Sequence, residues 1–493
     1  MECGLEKSQL QAFLTDMLDY AQIHGICLRT GDGQDLFRVQ VAPFSLVPSK
    51  FPEHAFRQAT DLQQAFNLLY DGVARDLHFL QECLKAVRVS DQFTDCLLSL
   101  YETVAAEGLA QTTFVNIQRA DYMLHGTDVN SLRGCSLKQV LNTIACGFAG
   151  LGLAVSSMHT RALPDWSTPA GASVPDNARL ICPSEAMALG HKLYGQPKAI
   201  VVFIVERLTV NIADQRMVQY ALEDMNKYFF RKQLKLFCFE GGDEKIGVER
   251  IKLAEAVDEL RLDDQRRLWT QRGQEVAVVY FRSGYVPRDY PDERCWDARL
   301  LIERSRAIKC PWIGYHLAGA KKIQQILCKP GMVERFLPEN LSLAVRQTFM
   351  QMYGFESEPE ASEAKRLVMD RSQDYVLKPQ LEGGGNNLYG DQIVSLLQTD
   401  QSRLSEYILM ERIRPPLQPA CLIRAGLALA DILTPRQCVS ELGIFGYLIS
   451  HADGTISQNV TRGYLLRTKD SAINEGGLMA GAAVLDSPLL VSE

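Results

Sequence analysis

Residues 378–390 of this 493-residue chain read Lys-Pro-Gln-Leu-Glu-Gly-Gly-Gly-Asn-Asn-Leu-Tyr-Gly. Three successive glycines bring bare backbone amides close to a ligand, because no Cβ stands in the way. Successive N–H groups in a turn form an anion-binding nest, and Lys378 adds a full positive charge beside it. Glu382 adjoins the glycines. A carboxylate next to an anion loop suits a divalent metal that bridges it to phosphate oxygens. A flexible hairpin closed by Gly-Gly-Gly-Asn-Asn accounts for the same residues, and pattern alone leaves both readings open. The stretch is neither a G-x-x-x-x-G-K-[ST] loop nor a G-x-G-x-x-G fingerprint.

The loop must be held by the elements around it. The apolar run Tyr375–Leu377 enters it, and Tyr407–Met410, Cys421–Ile423 and Gly443–Ile449 are further β-like runs. Upstream, Ala199–Val205 reads as a buried strand. A helical pattern through Met217, Tyr220, Ala221 and Met225 follows, then the strand Val276–Phe281. That alternation predicts a small α/β unit over about residues 197–300. Helical spacing dominates the first hundred residues, with Leu10, Phe13, Leu14, Met17, Leu18 and Ala21, then Leu69, Val73, Leu77, Leu80 and Leu84. Helices resume at Trp296–Ala307 and Ile323–Leu327. The charged segment Glu356–Lys365 is expected to be a surface connection.

At 493 residues, two or more domains are expected. A net charge of −7 gives no support to nucleic acid as a partner, though it allows a small anion in a local basic pocket. The 13 cysteines form no C-x-x-C pair, which fits a reducing compartment better than disulfides or zinc. The start lacks a basic stretch followed by an apolar core, and the apolar run Cys146–Val155 is too short to span a bilayer. A soluble, cytoplasmic protein is expected.

Several segments, taken in order, resemble eukaryotic glutathione synthetases of the ATP-grasp superfamily. They are QRADYM (118–123), KQVLNTIACGFAGLG (138–152), NIADQR (211–216), AVVYFRSGYVPRDY (277–290), AGAKKIQQ (318–325), the 378–390 loop, YILMERI (407–413), VSELGIFG (439–446) and LLRTKD (465–470). The resemblance covers essentially the whole chain. It implies an α/β ATP-grasp fold with helical layers, glycine-rich lid loops and an inserted parallel α/β substrate domain. The implied parts are 1–196, a helical part with the first portion of the core; 197–300, the insert; and 301–493, the rest of the core and the lid. It further implies ligation of γ-glutamylcysteine to glycine, with ATP consumed through an acyl phosphate, one or two Mg²⁺ ions and a homodimer.

By the same resemblance, Arg119, Lys378 and Arg467 are the implied catalytic residues. Arg119, Asn211, Gln215, Arg282, Ser283, Gly284, Tyr285, Arg467, Leu478 and Met479 are implied at the peptide and glycine positions. Lys321, Lys378, Gly383, Gly384, Gly385, Asn386, Asn387, Tyr389, Met410, Glu411, Ile413, Glu441, Lys469 and Glu475 are implied around ATP, and Asn142 and Glu382 at the metal. Arginines suit substrate carboxylates because their planar donors bind bidentately. From the residues alone, Met410 and Ile413 read as strand core, and NIADQR as a helix start. The 383–387 and 475–480 loops are expected to close over the reactants, keeping an acyl phosphate from water.

The sequence departs from the family pattern Q-(I/V)-E-(I/L)-N-T-I. It reads Gln139-Val140-Leu141-Asn142-Thr143-Ile144, one residue short. With Asn142 anchored, Val140 takes the place of the carboxylate. Gly147 stands where the family commonly has a serine, and Thr209 and Glu475 are altered near the ligands. The alternative is therefore a nucleotide-binding pseudoenzyme or regulatory partner subunit with an impaired metal site.

Overall fold

A computed structural model of the chain describes residues 7–30, 36–165, 168–177, 180–225, 245–380, 386–474, 477–478 and 481–492. Its largest sheet has eight strands. Across it lie Leu422–Ile423, Phe44–Ser45, Ala483–Asp486, Ile456–Asp470, Arg436–His451, Thr113–His125 and Ser136–Asn142, with Gln418–Ala420 paired to Arg436–His451. Side chains alternate between the two faces of a strand. In Thr113–His125, Val115 and Ile117 enter one core, while Phe114, Ala120, Tyr122 and Leu124 enter another. Arg436–His451 divides likewise: Phe445, Tyr447 and Ile449 share the first core, Leu442 and Ile444 the second. The helix Glu53–Arg75 covers the second face with Leu62, Phe66, Leu69 and Val73, a stripe at helical spacing.

The first face is apolar only at one end. Continuing at period two from Val115 and Ile117, the next residues are Arg119 and Asp121. From Phe445 the strand runs back to Gly443 and Glu441, and from Leu465 it runs on to Arg467 and Lys469. Alternation thus gathers the charged residues of three neighbouring strands on one patch.

A six-stranded sheet is built from Val248–Lys252, Ile200–Val205, Glu275–Phe281 and Ile308–Cys310, all parallel, and extended by the antiparallel Leu268–Thr270 and Leu260–Leu262. Ile200–Val205 is buried throughout: Val201, Phe203 and Val205 face one core, Ile200, Val202 and Ile204 another. Burial on both faces explains why it reads as an unbroken apolar run. A third sheet, antiparallel, orders Met352–Tyr353, Tyr407–Glu411, Tyr375–Pro379 and Leu388–Tyr389.

The expected helices at 296–307 and 323–327 appear as Glu293–Glu303 and Lys321–Leu327. Residues 356–365 overturn the expected surface connection: Glu358–Arg371 is a helix against the third sheet. Its buried face is Ala361, Ala364, Leu367 and Val368. Two of those four are alanines, which bury little and weaken the apolar signal, while helix propensity favours them. Among the described residues, no helix is long and apolar enough to cross a membrane.

Candidate functional site

The charged end of the large sheet forms the floor of a cavity of about 960 Å³, whose walls come from the other two sheets. Asp121 organises the floor. It accepts from Arg119 through Nε at 2.6 Å and Nη2 at 2.8 Å, from Asn142 Nδ2 at 2.8 Å and from Arg467 Nη2 at 2.8 Å. Arg467 also reaches Glu441 at 2.8 Å, and Arg119 Nη1 donates to the Gly147 carbonyl at 3.0 Å. Burial works against the Asp121 charge, but Arg119, Arg467 and the hydrogen bonds from Arg119 and Asn142 hold its carboxyl below the ordinary aspartate value. Gly443 lies opposite Asp121, and a Cβ there would come within 2.9 Å of both Arg119 Cδ and Asp121 Oδ1. The bare backbone at 443 lets these two side chains lie flat across the sheet.

At one end of the cavity are Asn211, Arg282 and Tyr285. Asn211 precedes the helix Ile212–Glu223, as the helix-start reading expects, and its Oδ1 accepts from Gln215 Nε2 at 3.1 Å. Gln215, Ser283 and Gly284 are buried but do not line the cavity, so they stand behind it. Asp289 Oδ2 accepts from the amides of Gly284 (2.7 Å) and Tyr285 (3.2 Å), and Gly284 has φ +92°, which needs glycine. Arg282 Nη2 sits 2.9 Å from where a Cβ on Gly147 would be, so the missing side chain there admits the guanidinium. Burial opposes the Arg282 charge, yet Tyr280, Glu206 and Asp214 hold its pKa above the ordinary arginine value.

Three carboxylates at or beside the cavity, Asp121, Asp214 and Glu206, escaped the sequence reading. Asp214 accepts from the amides of Phe148 (2.7 Å), Gly150 (2.9 Å) and Leu151 (3.1 Å). It thereby pins a turn in which Ala145 and Phe148 adopt positive φ, a strain of about 1–3 kcal/mol each. That turn lines the cavity. Glu206, at the end of Ile200–Val205, also lines it. An acidic residue directly after a buried parallel strand was the available signal, as was Asp121 inside QRADYM.

At the other end, Lys378 and Val376 project from Tyr375–Pro379, Met410 and Glu411 from the paired Tyr407–Glu411, and Tyr389 from the strand after the loop. Asn386, Asn387, Ile413 and Lys321 complete this wall, with Lys469 reaching up from the floor beside it. Met410 packs with Val376 and Met352 as strand core, as the residues alone suggest, and also lines the cavity. Asn387 Nδ2 donates to the Tyr389 hydroxyl at 3.3 Å, and Lys469 Nζ to the Asn474 carbonyl at 2.7 Å. The two lysines of AGAKK part company. Lys321 lines the cavity, whereas Lys322 is buried in an ion pair with Glu356 at 2.6 Å. Leu478 is buried and borders the cavity beside Gly477. Glu382, Gly383, Gly384, Gly385, Glu475 and Met479, and with them most of the two lid loops, lie outside the described residues.

Val140 stands opposite Asp121 in the strand pair, two residues before Asn142 and on the same face, and lines the cavity. Among the described residues, no three His, Cys, Asp or Glu side chains come together as a metal site. Asn142 spends its amide nitrogen on Asp121 and on the Arg119 carbonyl at 3.3 Å, which leaves its side-chain carbonyl as the donor for a cation.

The profile of the eukaryotic glutathione synthase ATP-binding domain matches residues 7–490. Human glutathione synthetase is 38% identical over 98% of this chain and 97% of its own. The chloroplastic glutathione synthetase of Arabidopsis thaliana is 35% identical over 99% of this chain and 86% of its own. Among solved structures, a glutathione synthetase-like effector of Globodera pallida in its apo form superposes with a TM-score of 0.75 at 25% identity, covering 99% of this chain and 98% of that one.

Proposed function

The chain belongs to the eukaryotic glutathione synthase family, and from that premise we propose how its residues carry out the reaction. It is an ATP-dependent ligase that makes glutathione from γ-glutamylcysteine and glycine. A carboxylate oxygen of the dipeptide attacks the γ-phosphorus of ATP and ADP leaves. The glycine amine then attacks the acyl carbon, loses a proton, and phosphate departs. Every reactant carries carboxylate or phosphate charge, so fixed cations must offset their mutual repulsion while they are aligned.

The observation that carries this reading is the convergence of Arg119, Arg467 and Lys469 on the floor with Arg282 at one end and Lys321 and Lys378 at the other. Arg282 and Tyr285 hold the dipeptide, with Asn211 and the supporting Gln215, Ser283 and Gly284. Arg119 and Arg467 neutralise the reacting carboxylate. Lys321, Lys378 and Lys469 bind the phosphates together with the 383–387 backbone, Asn386 and Asn387. Tyr389, Met410, Glu411 and Ile413 take the nucleotide base, with Glu441 and Glu475 at its edge. Leu478 and Met479 close over glycine, and their bulk favours a small amine.

Mg²⁺, when bound, neutralises triphosphate charge, and the Asn142 carbonyl with Glu382 would hold it. Val140 offers no ligand, which would leave most of the coordination to phosphates and water. The ATP-grasp architecture, with lids at 383–387 and 475–480 and a dipeptide-binding insert at 197–300 between the 1–196 and 301–493 parts, is part of the same proposal. So is a homodimer. Leu36, Phe37 and Val39 are exposed beside the strand Val39–Val41, which among the described residues pairs only with Cys27–Arg29. A cytoplasmic location is supported by the described cysteines, all free thiols. The test is ADP release with ATP, Mg²⁺, dipeptide and glycine, omitting each in turn. Release without glycine, or none with all four present, would refute the ligase.

A further inference from the structure

We propose that Glu206 recognises the α-ammonium of the γ-glutamyl group, facing Arg282 as the receptor of its α-carboxylate. The assignment rests on the ligase reading and names a residue that the resemblance did not supply. The γ-glutamyl end of the dipeptide is a zwitterion, with both charges on one carbon. A subsite made only of cations would repel the ammonium.

Geometry places the two residues together. Ile200–Val205 and Glu275–Phe281 are adjacent parallel strands, with Ile204 paired to Phe281, and the Arg282 amide donates to the Ile204 carbonyl at 2.8 Å. Glu206 and Arg282 therefore leave neighbouring strands at their carboxyl ends, where open α/β sheets bind ligands. Both side chains line the cavity.

The other nearby carboxylates are occupied. Asp214 is committed to three backbone amides and Asp289 to two. Glu206 is oriented but not neutralised. Its Oε2 accepts from Gln215 Nε2 at 3.0 Å and Thr209 Oγ1 at 3.3 Å, both uncharged donors. Gln215 is itself fixed by Arg250 Nη2, which donates to its Oε1 at 2.6 Å. Among the described residues, both bonds that Glu206 accepts end on Oε2, which leaves Oε1 to a ligand. Its field reaches the cations around it: burial and Arg216 push the Arg250 pKa down to about 10, and Glu206 counters them. A carboxylate held at a strand end by neutral donors, among arginines, is built to pair with an incoming cation.

The test is calorimetric titration of γ-glutamylcysteine and of glutaryl-cysteine, which has the same chain without the amino group. Wild type should prefer γ-glutamylcysteine by about 10- to 100-fold, the range of one charge-assisted hydrogen bond. Glu206→Gln should abolish most of that preference by weakening γ-glutamylcysteine alone, and Glu206→Asp should restore part of it. Equal weakening of both peptides would mean that Glu206 only orients Gln215, and would overturn the proposal. So would a wild type without preference, or one that binds neither peptide. Preserved preference without ADP release would sink the ligase reading and leave the Glu206 assignment standing.

Discussion

Replacing Asp121 with Asn removes the charge around which the floor of the site is assembled. The carboxylate accepts four hydrogen bonds, two from Arg119 and one each from Asn142 and Arg467. An amide keeps one acceptor oxygen: with its NH2 in the Oδ1 place the Arg119 Nε contact becomes repulsive, and in the Oδ2 place the other three do. Asp121 and Arg119 are both nearly buried, at 5% and 8% side-chain exposure, so solvent screens the loss very little. Breaking one partner of such a pair costs about 3–5 kcal/mol. Arg119 and Arg467 also lose their common anchor, and misplacement by about 1 Å lowers a rate by roughly 100-fold. Urea unfolding and dipeptide-dependent ADP release, measured on the same preparation, should therefore show both losses. The stability difference should be flat between pH 5 and 8. The folded-state pKa of Asp121 is lowered, so its contribution is present above the unfolded value and disappears only as acid pH passes the folded one. An Asp121→Asn protein within about 1 kcal/mol of wild type, with unchanged kcat/KM, would refute the reasoning.

Val140→Glu restores a carboxylate without shifting strand register, and should lower the Mg²⁺ concentration needed for half-maximal activity several-fold; an unchanged Mg²⁺ titration would show that this carboxylate is dispensable. Lys321→Ala should weaken ATP-analogue binding and leave the melting temperature near wild type, whereas Lys322→Ala, which strands Glu356, should destabilise the fold. The reverse pattern would exchange their roles. Asp486 is wholly buried, and burial raises its pKa to about 7 despite hydrogen bonds from Ser49, Thr468 and Ser487. Its raised folded value means that it contributes stability at low pH that is lost as pH rises from about 4 to about 7. Asp486→Asn should lose less stability than wild type over that window, and parallel urea titrations would count against it.

Much of this organisation is legible in the order of the residues. Ile200–Val205 and Glu275–Phe281 announce themselves because strands buried on both faces read as unbroken apolar runs. The 378–390 segment stands out because three bare backbone positions beside a lysine and a carboxylate suit an anion loop, though pattern alone left a simple hairpin open. The Glu358–Arg371 helix was not legible, since its buried stripe is half alanine and most of its other positions are charged. Nor was the burial of Lys322, because its ion-pair partner Glu356 is distant in sequence; only the resemblance singled out Lys321 from its neighbour.

By itself the sequence determined the family, several of the strands that enter the site and most of the cations that line it, because these reside in local pattern and matched segments, whereas Thr113–His125 and Ile456–Asp470 were not read as strands. The tertiary structure alone decided that Asp121 binds Arg119, Asn142 and Arg467 together and that Glu206 emerges beside Arg282. Those pairings depend on strand register. A shift of one residue would turn each of these side chains to the opposite face, and register is set by the summed burial of both faces across distant strands.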